Sequence, residues 1–266
     1  MKTILCAVFA ILCMFRVNAT GIHFLNIPGD TIKKLNNFTG AAVYKAPNGK
    51  TYNVSFDDDQ SAIEVENNVP ADEHGIAAAR ANNTACDHGN KFDGVYRKTA
   101  KLSVSSKQSA TATLPALITR VKKVSKSSLN GITKSSLRIS SEDANFSVQA
   151  FLYAITRESD EDYHIIIGTS NDPSTAEFFN VECAGLPANS SAFFAKLQTV
   201  RNKVVSFLGG TEVCKSGYIK FHDHPKIQVS GSLFYDKEHE NSIVGPTDSK
   251  PKTAWELHPI TAFKVF

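Results

Sequence analysis

After its first residues this sequence has no apolar run long enough to cross a bilayer, which takes roughly 20 residues. It has five cysteines, one tryptophan and little net charge. The cysteine spacings do not form a zinc knuckle. There is no phosphate-cradling glycine loop, no serine nucleophile elbow and no His-Glu-x-x-His, which removes the commonest motif-borne chemistries. Charge balance removes another clue. With 29 basic and 26 acidic residues, overall charge points to no partner class.

The N-terminus is informative. Lys2 precedes an apolar run from Ile4 to Phe15, followed by Val17-Asn18-Ala19. A positive start, a short apolar core and small residues at a cut site read as a secretory signal peptide over residues 1–19. Cys13 lacks the small residues that precede a lipidated cysteine, so the expected product is released rather than anchored. The expected location is secreted, periplasmic or extracellular. Cys86, Cys183 and Cys214 remain after cleavage, and in an oxidising compartment two of them can pair. Cys183 with Cys214 is the favoured pair, because they flank a predicted helix. Pairs with Cys86, and no bond at all, stay open.

Residues 20–102 read as a β-rich N-terminal region. Ala41 to Tyr44 and Thr51 to Phe56 flank Pro47-Asn48-Gly49-Lys50, a hairpin signal. A strand is expected at 62–66 and a short helix at 73–81, with Cys86 and His88 in a loop. Residues 103–137 read as a linker rich in Ser, Thr and Lys. From Lys101 to Ser141 there are eight basic residues and no acidic one. A flexible connector is the leading interpretation. Nucleic acid or an anionic polysaccharide is the functional alternative.

Residues 138–266 have a clearer plan. Phe146 to Thr156 alternates as a strand, with Phe146, Val148, Ala150, Leu152 and Ala154 on one face. Arg157 to Glu161 reads as a charged turn. Asp162 to Gly168 and Ala176 to Cys183 follow as strands. Ser190 is placed to cap a helix whose apolar face holds Phe193, Phe194, Leu197, Val200, Val204, Phe207 and Leu208. Strands at 226–235 and 254–265 close the chain. Three strands, a helix and two strands is the order of the OB-fold. The predicted fold is therefore mainly β, with an OB-like five-stranded barrel plugged by one helix, plus the N-terminal β-rich region.

Three motifs recur in this half. They are Glu158-x-Asp160-x-Asp162-Tyr163-His164-Ile165-Ile166-Ile167, then Gly231-Ser232-Leu233-Phe234-Tyr235-Asp236 with His239, then Glu256-Leu257-His258-Pro259-Ile260. Together with Glu182-Cys183 they resemble a group of uncharacterised, mostly secreted OB-like barrel proteins. The resemblance implies secretion and the barrel fold, and no activity. The group's third strand ends Glu-x-Pro; Val181-Glu182-Cys183 lacks that proline.

The candidate site is the set Asp162, His164, Asp236, His239, Glu256 and His258. In a strand, Asp162 and His164 share a face, as do Glu256 and His258. Carboxylates and imidazoles suit Zn²⁺, Mn²⁺ or Fe²⁺, and a carboxylate–histidine pair can activate water. The leading alternative is structural: each histidine satisfies a neighbouring strand's carboxylate or carbonyl. A staphylococcal-type nuclease would need two arginines to stabilise phosphoryl charge, and in the barrel region only Arg138, Arg157 and Arg201 are available. Two expectations follow. The first is a secreted non-enzymatic binding or structural protein, with nucleic acid or an extracellular glycan as ligand by fold analogy. The second is a metal-dependent hydrolase or nuclease built on the same six residues. No cofactor or particular metal is specified.

Overall fold

The computed structural model describes residues 26–27, 41–57, 89–210, 212–213 and 217–266. The leader, the elements expected at 62–66 and 73–81, Cys86, His88 and Cys214 lie outside them.

β1 (Asn26–Ile27) runs parallel to β2 (Ala41–Lys45), and β2 forms the expected hairpin with β3 (Thr51–Asp57). Gly49 takes φ 81° in the turn, which a Cβ would penalise. The next elements are α1 (Lys98–Lys101), β4 (Ser109–Thr113) and α2 (Leu114–Lys122). β4 and α2 fall inside the stretch expected to be a linker. β4 pairs in parallel with the first barrel strand, and α2 buries Leu114, Leu117, Ile118 and Val121. Thr113 accepts the Ala116 N–H at 3.3 Å and Pro115 occupies the first turn, a regular helix start.

The barrel is built from β5 (Asn145–Arg157), β6 (Tyr163–Gly168), β7 (Phe178–Cys183), β9 (Lys226–Tyr235) and β10 (Trp255–Val265). The helix α3 (Phe194–Phe207) and the strand β8 (Tyr218–Phe221) intervene between β7 and β9. The ring closes in the order β5-β6-β7-β10-β9 and back to β5, with β7 and β10 its parallel pair. This is the OB-like barrel that the element order predicts. β5 closes it because it is long: Asn145 to Phe151 pairs with β9, and Phe151 to Arg157 with β6. A bulge falls between, where Leu152 pairs with Ile167 and Ala154 with Ile166. The extra residue switches faces. Leu152 and Ile155 thus enter the main core, and Ala154 packs outside with Tyr153, Ile166 and Tyr218, contrary to the uniform alternation expected.

Val200, Val204, Phe207 and Leu208 plug the barrel from α3. Full burial of each contributes roughly 1.5–3 kcal/mol. The helix starts later than expected. Its N-cap is Phe193, without a side-chain cap, so Ser190 does not serve; Ser191 instead accepts the Phe193 N–H through its hydroxyl at 3.2 Å. β8 joins the hairpin to the barrel. Val54 pairs with Phe221 on one side of it, and Ala154 with Lys220 on the other. Tyr44 donates to the Phe207 carbonyl at 2.5 Å, satisfying one of the orphan acceptors at the end of α3. Cys183 is a buried free thiol, its pKa pushed up to about 12 by burial.

Candidate functional site

The barrel wall has two faces, and the candidate residues sit on the outer one. Tyr163, Ile165 and Ile167 of β6, Phe179, Val181 and Cys183 of β7, and Trp255 and Leu257 of β10 point into the core. Alternation leaves His164, Asn180, Glu182, Glu256 and His258 on the opposite side of three neighbouring strands. Register then sets them against each other: His164 pairs with Glu182, and Asn180 with Glu256. Two loops complete the set. The turn joining β5 to β6 brings Glu158 and Asp162, and the long connection from β9 to β10 brings Asp236 and His239.

The contacts form a chain. His164 Nδ1 lies 3.2 Å from Glu158 Oε1 and 3.4 Å from Glu182 Oε1. The other Glu182 oxygen meets His258 Nδ1, which is also 3.1 Å from Glu256 Oε1. On the far side of the same ring, His258 Nε2 lies 3.3 Å from Asp162 Oδ2. The Asn180 amide donates to Glu182 at 2.7 Å and Glu256 at 2.8 Å, holding the two carboxylates side by side. Asp162 Oδ1 accepts the Gly185 N–H at 2.5 Å. Asp236 and His239 pair with each other at 2.7 Å, and both line a cavity of about 20 Å³ with His164, Asn180 and Glu256. All six sequence-predicted residues therefore gather in one region. Glu182, which the sequence reading did not place in the site, is its hub.

The region is buried. Asp162 and His258 are 0% exposed, and none of the six exceeds 6%. The β9–β10 connection supplies the lid: Ile243, Val244, Thr253 and Ala254 complete the cavity wall. A volume near 20 Å³ holds about one water-sized particle. Burial, reinforced by Asp160 and Glu182, holds the Asp162 carboxyl well above its ordinary range, against the pull of His258 and Lys101.

The turn over residues 157–162 departs most from expectation, since Glu158, Asp160, Glu161 and Asp162 are all buried. Basic residues, two of them from elsewhere in the chain, make that tolerable. Lys101 reaches Asp160 at 3.2 Å, and Arg157 pairs with Glu161. Arg201 donates to the Glu161 carbonyl at 2.7 Å while gripping Glu212 at 2.8 and 2.9 Å. Arg138 donates to the carbonyls of Ser103, Leu233 and His258. The three arginines a nuclease could recruit are thus engaged within the fold.

Other polar signals resolve locally. His222 bonds Ser55 at 2.7 Å, Asp223 accepts from Asn53, and His224 stacks on Tyr153 at 3.9 Å. These three residues do not form one ligand set. Trp255 is core, packed against Tyr235 at 5.1 Å. Among the described residues no helix is long and apolar enough to cross a membrane.

Comparison with known proteins finds no matching family model, no matching curated protein and no matching solved structure.

Proposed function

We propose that this is a secreted, non-enzymatic binding protein whose carboxylate–imidazole centre is internal and whose ligand seat is an adjoining cleft. The observation that carries this reading is the contrast in room. The buried centre lines a cavity of about 20 Å³, whereas a cleft of about 450 Å³ adjoins it. Ligand sites commonly occupy about 300–1,000 Å³. A hydrolase on the six residues would have to admit a scissile bond where one water fits.

The cleft lies between α2 with its following turn and the β9–β10 connection. Lys122, Lys126, Asn130, Asn241 and Lys252 line it, and Glu240 is its one carboxylate. Glu240 is already bonded to Lys237 at 2.6 Å and Tyr235 at 2.9 Å. The surplus charge is positive, and the amides offer hydrogen bonds in both directions. Trp255 lies buried at the base, and the other lining aromatic, Tyr235, is half-buried, packed on Trp255 and tied to Glu240 through its hydroxyl, which makes it a poor platform for stacking bases. These features favour an anionic extracellular glycan over single-stranded nucleic acid. The resemblance to secreted OB-like barrels and the leader-like N-terminus support the location.

The test is titration of the full mature chain with a sulfated oligosaccharide and with single-stranded DNA. Saccharide binding is expected to weaken as salt rises and to drop about tenfold or more in Lys126→Glu/Lys252→Glu, through loss of local positive potential. No turnover of ester or phosphodiester substrates is expected, with or without added Zn²⁺. DNA binding without saccharide binding changes the ligand class. Turnover lost in His164→Ala restores the hydrolase reading.

A further inference from the structure

Five Asn-x-Ser/Thr triplets follow the leader-like N-terminus: Asn37-Phe38-Thr39, Asn53-Val54-Ser55, Asn82-Asn83-Thr84, Asn145-Phe146-Ser147 and Asn189-Ser190-Ser191. In a secreted chain each is a candidate acceptor for an N-linked glycan, which is bulky and needs a surface position. Asn37 and Asn82 lie outside the described residues. The other three differ in what their side-chain amides do.

Asn145 is built into the barrel. It stands on β5 between Ser109 of β4 and Ser232 of β9. Its Nδ2 donates to the carbonyls of Ser105 at 2.9 Å and Lys107 at 2.5 Å, and its Oδ1 accepts the Ser232 hydroxyl at 2.6 Å. Both amide hydrogens are in use, so a sugar on that nitrogen displaces one of these bonds and loosens the approach to β4. Asn53 also lies inside a sheet, since β3 runs between β2 and β8. It grips Asp223 through its backbone N–H at 2.5 Å and its Nδ2 at 2.7 Å. The hydroxyl of its triplet, on Ser55, is bonded to His222 at 2.7 Å.

Asn189 is the opposite case. It lies in the turn between β7 and α3, where Ala188, Asn189 and Ser190 are all exposed. The Ser191 N–H closes that turn onto the Ala188 carbonyl at 2.8 Å. The backbone therefore holds the turn, and among the described residues the Asn189 amide has no hydrogen bond to give up.

We propose that Asn189 carries an N-linked oligosaccharide and that Asn53 and Asn145 stay bare in the folded protein. The donor is a lipid-linked oligosaccharide diphosphate. The Asn189 amide nitrogen forms a bond to the anomeric carbon, the bond from that carbon to the lipid diphosphate breaks, and the amide proton leaves with the diphosphate. Nothing is oxidised or reduced. The inference rests on the secreted location proposed above, in a host whose secretory pathway holds that donor. It involves neither the cleft nor the buried centre.

The experiment expresses the full chain with its own leader in cultured mammalian cells, and in parallel the chain after residue 19 behind a leader of established activity. Secreted and cell-associated protein are treated with peptide N-glycosidase in heavy-oxygen water, which turns each former acceptor into a mass-tagged aspartate. Peptide mass spectrometry then reads the tags. Asn189 is expected to be tagged in secreted protein from both leaders, with Asn53 and Asn145 untagged. Asn189→Gln and Ser191→Ala should lose the tag, and Ser191→Thr should keep it. Asn189→Gln should still be secreted and should melt with enzymatically deglycosylated wild type. Tagging behind the borrowed leader alone supports the acceptor while the secreted location fails, which separates the two readings. Asn189 bare behind the borrowed leader, in secreted and cell-associated protein alike, overturns the proposal. Secreted, folded protein tagged at Asn53 or Asn145 overturns the assignment.

Discussion

Replacing Arg97 by alanine is expected to destabilise the protein by about 3–5 kcal/mol, the cost of stranding a buried charge. Arg97 grips Glu142 with two bonds of 2.7 Å, and both side chains are fully buried. It also donates to the carbonyls of Tyr235 at 3.0 Å and Leu137 at 2.8 Å, and lies over the Phe234 ring at 4.6 Å. Glu142 in turn accepts the Tyr235 N–H at 2.8 Å. Truncation leaves Glu142 charged, dry and half-satisfied beside β9. Residue 97 lies before the barrel in sequence, so this one side chain also tests whether the preceding segment is part of the folded unit. Urea melts of Arg97→Ala and Arg97→Ala/Glu142→Gln measure it. The double variant should recover part of the loss, because it removes the stranded charge.

Leu257→Ala is expected to cost about 3–4 kcal/mol, within the range for leucine truncation in a packed core. Leu257 is fully buried and pairs with Leu233 on β9 and Val181 on β7. It therefore sits where the antiparallel and parallel seams of the ring meet. Its neighbours Glu256 and His258 point to the other face. The variant should lower Tm by roughly 6–16 °C, at about 2–4 °C per kcal/mol. It should leave the burial of His164 and His258 unchanged in any molecule still folded. A loss of stability well under 1 kcal/mol would mean that the faces are assigned the wrong way round.

These two residues also mark what sequence reasoning can reach. Leu257 was legible, because β10 alternates and its β-branched neighbours leave no helical reading. The same regularity revealed the other barrel strands and the helix α3. The site was legible in part, since Asp-x-His and Glu-x-His put each pair on one strand face. Glu182 was not. Its role depends on register with His164, which no local pattern states. Glu158 was hidden for a different reason. A run of charges between two strands ordinarily means a solvated turn, and here Lys101 and Arg201 arrive from elsewhere, with Arg157 of the turn itself, to bury it. β4 was masked by Ser/Ala/Thr composition, and the helix after it fell within the stretch taken as a linker. The bulge at Tyr153 was invisible because alternation within β5 is intact until two residues share one partner site.

The claim on which the rest depends is that the three histidines of the wall and its lid lie in one closed region. Hydrogen–deuterium exchange at the imidazole C2–H position, followed by mass spectrometry of the folded chain, tests it directly. His164, His239 and His258 are expected to exchange at least roughly tenfold more slowly than exposed His222, because exchange then requires local opening. Exchange of all three at the rate of His222 would mean that the centre is open to solvent, which contradicts both the buried centre and the non-enzymatic reading built on it.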